Sequence, residues 1–215
     1  MKTRSHHIQD LISEGEHQTL DFKFEISDSR KIARSLAAFA NTDGGRLLVG
    51  VKDNGTIAGV RSAEEIHMIE AAAEMYCQPP VDYNTKEWNV GGKAVLEVII
   101  PKDLKDKHKA PDHEGHYKVF IRVADENLVA DNVLVKVWQA EKYHHAAKIT
   151  FSEAETMLLR YLTENQEITT KEFQQLAHIG KRKAEAILAD FVSIGTLKLI
   201  QTSQGTTFKS NEKTD

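Results

Sequence analysis

Cysteine is almost absent from this chain of 215 residues, which holds Cys77 alone, and prolines number only four. A lone thiol excludes an internal disulfide framework and fits a reducing compartment, so Cys77 is expected to be a small, half-buried apolar residue rather than a reactive thiol. No apolar run approaches the roughly 18 residues that a membrane span needs. The stretch Met1-Lys-Thr-Arg-Ser-His-His-Ile8 carries positive charge with no apolar segment behind it, which is not the pattern of a secretory signal. The expected location is the cytoplasm, with no membrane partner. A basic excess is also missing: 28 Lys and Arg face 32 Asp and Glu, a formal charge of -4. That balance excludes a strongly basic nucleic-acid coat protein, because such proteins neutralise phosphates with clustered cations. Any nucleic-acid site must be local.

With 40% hydrophobic and 28% charged residues the composition is that of an ordinary globular protein. The length allows one ample core or two modest ones. Ile8 to Gly15 reads as a short helix and Thr19 to Phe24 as a strand. A strong helix follows from Ser29, capped by Ser27, Asp28 or Ser29, with Ile32, Leu36, Phe39 and Ala40 on one face and Arg30, Lys31 and Arg34 on others. Asn41-Thr-Asp-Gly-Gly45 breaks it. Arg46 to Lys52 is an apolar strand, and Asn54-Gly55 signals a type I′ hairpin with Thr56 to Val60 as the return strand. Ala63 to Cys77 reads as an amphipathic helix using Ile66, Ile69, Ala73 and Tyr76. Val81 to Val90 and Lys93 to Ile100 pair around Gly91-Gly92. Residues 102–116 read as a polar loop, Tyr117 to Val123 as a strand and Val133 to Glu141 as a helix. Helices interleaved with hairpins give an α+β class, with a mixed or antiparallel sheet.

The pattern changes after Tyr143-His-His-Ala-Ala-Lys148, which reads as a linker between residues 1–145 and a second domain at 150–210. Ser152 with Glu155 forms a capping box. A second helix starts at Thr169 or Thr170, and a third runs from Lys181 to Ile194. Gly195 stops it, and Thr196 to Thr202 with Thr206 to Lys209 forms a hairpin. Three helices and a terminal hairpin are the order of a winged helix-turn-helix. In that reading the third helix enters a major groove and shows Arg182, Lys183, Glu185, Ala186, Ala189 and Ser193. Lys181, Arg182 and Lys183 are the expected phosphate or base contacts, the small Ala186 permits close approach, and Lys209 adds charge near the hairpin. The alternative is a domain for dimerisation or protein contact, with the basic triplet a solvated helix end.

In the first domain, Glu16, Asp21 and Asp53 are candidate catalytic carboxylates. Converging carboxylates hold Mg²⁺ or Mn²⁺, which activates water and neutralises the charge that develops in phosphodiester cleavage. Lys23 shares a strand face with Asp21 and is a candidate phosphate contact. Each also has a structural reading: Asp53 shapes a turn, Glu16 meets a helix, and Asp21 with Lys23 is a solvated strand face.

Glu16-x4-Asp21-Phe-Lys, Ala38-Phe-Ala-Asn-Thr-Asp-Gly-Gly45, Leu48-Val-Gly-Val-Lys-Asp-Asn-Gly55 and Gly59-Val60 together resemble the Schlafen AlbA-like domain, also known in bacteria as a divergent AAA or ATP-binding domain. Lys107-His-Lys-Ala-Pro111, Tyr117-x-x-Phe-Ile-Arg-Val123 and Ala130 resemble that family's second half, so the likeness spans residues 8 to 140. It implies a nucleic-acid-associated protein, paired in bacterial members with a C-terminal winged helix and described as a transcriptional regulator. In animal Schlafens the domain is similar to a tRNA/rRNA endonuclease, whose metal-binding triad would map onto Glu16, Asp21 and Asp53. Here Asp21 stands where a longer Glu is usual, and the chain has one copy of a domain that nuclease-active forms carry as two lobes; a homodimer would supply the second. An ATPase is not expected, since no Gly-x-x-x-x-Gly-Lys-Ser/Thr phosphate cradle is present.

The ten histidines, among them His108, His113, His116 and the pairs His6-His7 and His144-His145, are expected to be exposed loop residues rather than metal ligands. The leading expectation is a dimeric, DNA-binding transcriptional regulator that needs no cofactor, with RNA as a further possible partner. The alternatives are a Mg²⁺- or Mn²⁺-dependent RNase and a protein-interaction scaffold.

Overall fold

The structure is a computed structural model that describes residues 6–62, 64–143 and 152–211. The chain divides into two compact units, Met1–Val129 and Ala130–Asp215.

In the first unit, helix α1 (His6–Glu14) precedes strand β1 (Leu20–Lys23), helix α2 (Ser29–Asn41), strand β2 (Gly45–Val49) and helix α3 (Glu64–Glu74). Strands β3 (Asn84–Val90) and β4 (Lys93–Ile100) form the expected hairpin, followed by β5 (Lys109–Pro111), β6 (Tyr117–Val123) and β7 (Glu126–Val129). A four-stranded sheet runs in the order β1-β2-β4-β3 and a three-stranded one in the order β5-β6-β7. The class is α+β with a mixed sheet, because β1 and β2 are parallel while β2 and β3 are each antiparallel to β4.

Period-2 alternation sorts the first sheet into two faces. Leu20, Phe22, Leu48, Trp88, Val90 and Val95 meet Ile8 and Leu11 of α1. Leu47, Val49, Leu96, Val98 and Ile100 meet α2 and α3, and Ala110 and Phe120 of the three-stranded sheet close the same core from beyond α2. Helix α2 therefore lies between two sheets. Every residue from Ile32 to Asn41 except Arg34 is buried, against the expectation of a single apolar face. Its alanines, Ala33, Ala37, Ala38 and Ala40, let both sheets approach closely. A helix buried all round is mostly apolar, and its buried Ser35 and Asn41 are hydrogen-bonded.

The expected Asn54-Gly55 hairpin shrinks to one bridge, Val51 to Ile57. Asn54 is not in the left-handed region that a type I′ turn requires, whereas Gly55 is, at φ +78°. The strand ends at Gly50, which packs so tightly on Gly59 that a Cβ would lie 2.8 Å from the Gly59 carbonyl carbon. Two further expectations change. Ile66 is partly exposed at 39%. The 102–116 loop contains β5, whose short run gives no readable period.

The second unit begins at Ala130 rather than near residue 150. Helix α4 (Asn132–Lys142) packs on α7 (Lys181–Ser193), α6 (Thr170–Ala177) packs on both α7 and α5 (Glu153–Glu164), and the hairpin β8 (Leu197–Thr202) with β9 (Gly205–Ser210) completes the unit. Val133 and Val137 of α4 share a core with Leu158, Phe173, Leu188 and Phe208, which is why α4 belongs here. Asp131 caps α4 through Val133 N–H at 2.7 Å, and its own N–H donates to Gln201 Oε1 at 2.9 Å. The Ser152 capping box holds as read, with Ser152 N–H donating to Glu155 Oε2 at 2.6 Å, and the structure adds a second at Thr169, whose N–H donates to Glu172 Oε2 at 2.8 Å. The 144–148 linker and His144-His145 lie outside the described residues.

A Cβ on Gly45 would stand 2.5 Å from the Phe39 ring and 2.9 Å from the Thr19 carbonyl oxygen. Gly45→Ala should therefore destabilise the first unit by about 1–3 kcal/mol, the usual cost of overpacking. Urea unfolding reads it; an unchanged midpoint would contradict the packing described.

Candidate functional site

Asp21 points to the α2 side of the first sheet and is buried at 3% exposure. Its Oδ1 accepts from Arg122 Nη2 at 3.3 Å, and its Oδ2 lies 2.8 Å from Lys23 Nζ. The lysine's aligned hydrogen bond goes to the Phe22 carbonyl at 2.8 Å, so the contact with Oδ2 is an ion pair. Oδ2 itself has no aligned hydrogen-bond partner. Glu16 lies beside them, its Oε1 accepting from Phe22 N–H at 2.8 Å. Burial, then a hydrogen bond and the charge of Asp21, raise the Glu16 carboxyl above its ordinary value. Glu16, Asp21 and Lys23 are thus brought together. Asp53 sits exposed in the Lys52–Gly55 turn, with no hydrogen bond or ion pair among the described residues.

This donor set does not fit a divalent cation. Among the described residues no three His, Cys, Asp or Glu side chains gather so as to hold a metal ion. Of the two carboxylates that meet, one already neutralises two cations. A metal at Oδ2 would have to displace the Lys23 ammonium, and one at Oδ1 the buried guanidinium, which would leave that charge unpaired at a cost of several kcal/mol.

Arg122 carries no expected role, yet it ties the unit together. Its side chain is 1% exposed. It donates from Nη2 to the Leu20 carbonyl at 3.3 Å and from Nη1 to Asn127 Oδ1 at 3.2 Å, and its guanidinium lies 5.2 Å from the centre of the Phe39 ring. The signal was present in the sequence: an arginine inside Val-Phe-Ile-Arg-Val, like an aspartate inside Leu-Asp-Phe, demands a buried counter-charge.

The histidines divide. His113 and His116 are exposed, as expected. His108 is not: it is 2% exposed, with Nδ1 at 2.8 Å from the Pro79 carbonyl oxygen and Nε2 at 3.2 Å from Asp103 Oδ2. Packing of β5 on α2 draws it in, since its backbone N–H donates to Asn41 Oδ1 at 2.7 Å. His7 is half-buried against Glu97 at 3.1 Å and the Trp88 ring at 4.8 Å. Cys77 is buried completely, and that burial pushes its thiol up to about 12.

In the second unit Lys181, Arg182, Lys183 and Ala186 are exposed on α7. Arg182 and Lys183 form no ion pair among the described residues. Glu185 and Ala189, expected to face outward, are buried at 6% and 7% because α4 covers that side. Glu185 accepts from Asn132 Nδ2 at 3.1 Å and lies 3.8 Å from both Lys136 Nζ and Lys181 Nζ. Its charge is thereby answered inside the unit. Lys209 is 3.2 Å from Glu167.

The raised Glu16 carboxyl has a consequence for stability. A folded state that binds the proton more tightly gains a contribution that is whole below about pH 4.5, the ordinary value, and is lost as pH rises through the raised one. Glu16→Gln keeps the acceptor for Phe22 N–H and removes the charge. It should raise the melting temperature at pH 8, with a gain that shrinks towards pH 4; no gain at pH 8 would contradict the assignment.

A family model described as Schlafen, AlbA_2 matches residues 16–131. No relative among curated proteins matches the chain. Among solved structures, the DIP2311 protein of Corynebacterium diphtheriae aligns at a TM-score of 0.50 and 18% identity, over 96% of this chain and 43% of that one. The chain therefore spans less than half the length of DIP2311. The N-terminal domain of a RecG-related protein from Nitrosomonas europaea aligns at a TM-score of 0.39 and 23% identity, over 61% of this chain and 97% of that one. At 18% identity the likeness to DIP2311 concerns fold alone.

Proposed function

The chain belongs to the Schlafen AlbA_2 family, and from that premise we propose that it is a nucleic-acid-binding protein, a DNA-binding transcriptional regulator whose second unit works as a winged helix-turn-helix. The observation that carries this reading is the start of α7. Arg182 and Lys183 project there without ion-pair partners among the described residues, beside exposed Ala186, while the carboxylate of Glu185 is turned inward and neutralised. That removes the carboxylate nearest the start of α7 from the approach to phosphate. The cations add to the positive end of the helix dipole, so an anion is favoured at this terminus twice over. The order α5, α6, α7 and hairpin, with β9 also bridged to Ile168, supports the winged-helix reading. We further propose a homodimer, since paired domains read two-fold symmetric half-sites.

A metal-dependent nuclease has in its favour the meeting of Glu16 with Asp21. The occupied oxygens of Asp21 and the exposed, separate Asp53 count against it.

Duplex DNA binding should weaken steeply with salt. Arg182→Ala should lower affinity about equally across sequences if the side chain meets phosphate, and reduce the slope of log K against log salt by about 0.9. Fluorescence anisotropy over a salt series measures both. Absence of binding to duplex DNA at low salt would contradict the proposal, and binding confined to RNA would redirect it.

A further inference from the structure

The register of the β8–β9 hairpin sets two lysines face to face. Leu199 pairs with Phe208 on the core side, and Lys198 pairs directly with Lys209 on the other. Directly opposed residues on one sheet face hold their Cβ atoms about 5 Å apart, and like charges there are destabilising. Glu167 answers one of the two charges, Lys209, at 3.2 Å. That pair is exposed and holds its partner weakly. Lys198 is exposed and has no ion pair among the described residues. The next pair on the same face is Ile200 with Thr207, and the Thr207 hydroxyl forms no hydrogen bond among the described residues. Two ammonium groups and a free hydroxyl therefore share one face of the hairpin, and nothing in the unit balances the charge of Lys198. A local rule broken with compensation for only one of its two charges points to a functional surface.

We propose that Lys198 and Lys209 form a cross-strand clamp for a phosphate of a nucleic-acid backbone, with Thr207 as an additional donor. The clamp rests on the nucleic-acid reading given above and adds Lys198 to it. A phosphate oxygen between the two ammonium groups turns their mutual repulsion into a shared attraction. Binding and stability then respond to Lys198 in opposite directions, which a purely structural lysine would not produce.

The test uses the full chain with a short labelled DNA duplex, read by anisotropy across a salt series, together with thermal melting of each variant. Lys198→Gln should weaken binding by about threefold to tenfold, reduce the salt slope by about 0.9 and leave the melting temperature unchanged or higher. Lys198→Arg should restore both affinity and slope. If Lys198→Gln binds as the unsubstituted chain does while Arg182→Ala is weakened, the clamp is wrong and the α7 reading stands. If the unsubstituted chain binds no nucleic acid, both fall. Inorganic phosphate separates the remaining source: saturation of Lys198 by phosphate, with duplex affinity indifferent to Lys198→Gln, would mark a free-anion site and overturn the clamp.

Discussion

The first unit depends on one buried ion pair, Arg122 with Asp21. Arg122 stands on β6 of one sheet and Asp21 on β1 of the other, 3.3 Å apart at their nearest atoms, with the Phe39 ring beside the guanidinium. Neither side chain has access to bulk water. Taking both out of solvent is repaid only if the remaining donors and acceptors are satisfied. Carbonyl oxygens of Leu20 and His17 and the amide of Asn127 supply that for Arg122. What the pair provides is position: it sets where the three-stranded sheet sits relative to β1 across α2.

The Phe39-Ala-Asn-Thr-Asp-Gly-Gly45 segment makes the other joints of the same assembly. Asn41 donates to the His108 and Phe120 carbonyl oxygens, each at 2.8 Å. Thr42 Oγ1 accepts the Arg122 N–H at 3.0 Å, and Asp43 accepts from Gln18 Nε2 at 3.0 Å. Gly45 leaves room for the Phe39 ring. Each residue has a mechanical task, so the most distinctive motif in the chain specifies architecture rather than chemistry. The same holds for Asp21, whose oxygens are engaged by Arg122 and Lys23.

Local signals were legible at most turns and caps, the Asn54-Gly55 turn being the exception. Gly91-Gly92 announced the β3–β4 hairpin, the capping box at Ser152 placed α5, and a threonine cap placed α6. Distant contacts were not legible. Nothing near Glu185 says that α4, some fifty residues earlier, covers it, and so a residue expected to face DNA is instead an anchor. Strand partners were equally hidden: β2 pairs with β1 and β4, while the Asn-Gly turn beyond it leads to a single bridge. Of the site candidates, the strand period placed Asp21 and Lys23 on one face, while the meeting of Glu16 with them is a tertiary fact. The separation of Asp53 and the claim of Arg122 on Asp21 are tertiary facts.

In the second unit the same principle works in reverse. Burial of Glu185 leaves Arg182 and Lys183 as cations of α7 without ion-pair partners among the described residues, and cross-strand register does likewise for Lys198. Each unit is read by asking which charge has been answered internally and which has not. The most direct measurement is a double-mutant cycle on Asp21→Asn and Arg122→Met, with unfolding free energies taken in urea. The account predicts that each single change destabilises by roughly 3–5 kcal/mol, because the partner charge is left buried, and that the double variant loses at least about 1 kcal/mol less than the sum. Additive effects, or an Asp21→Asn variant as stable as the parent, would show that Asp21 is free for another role and contradict it.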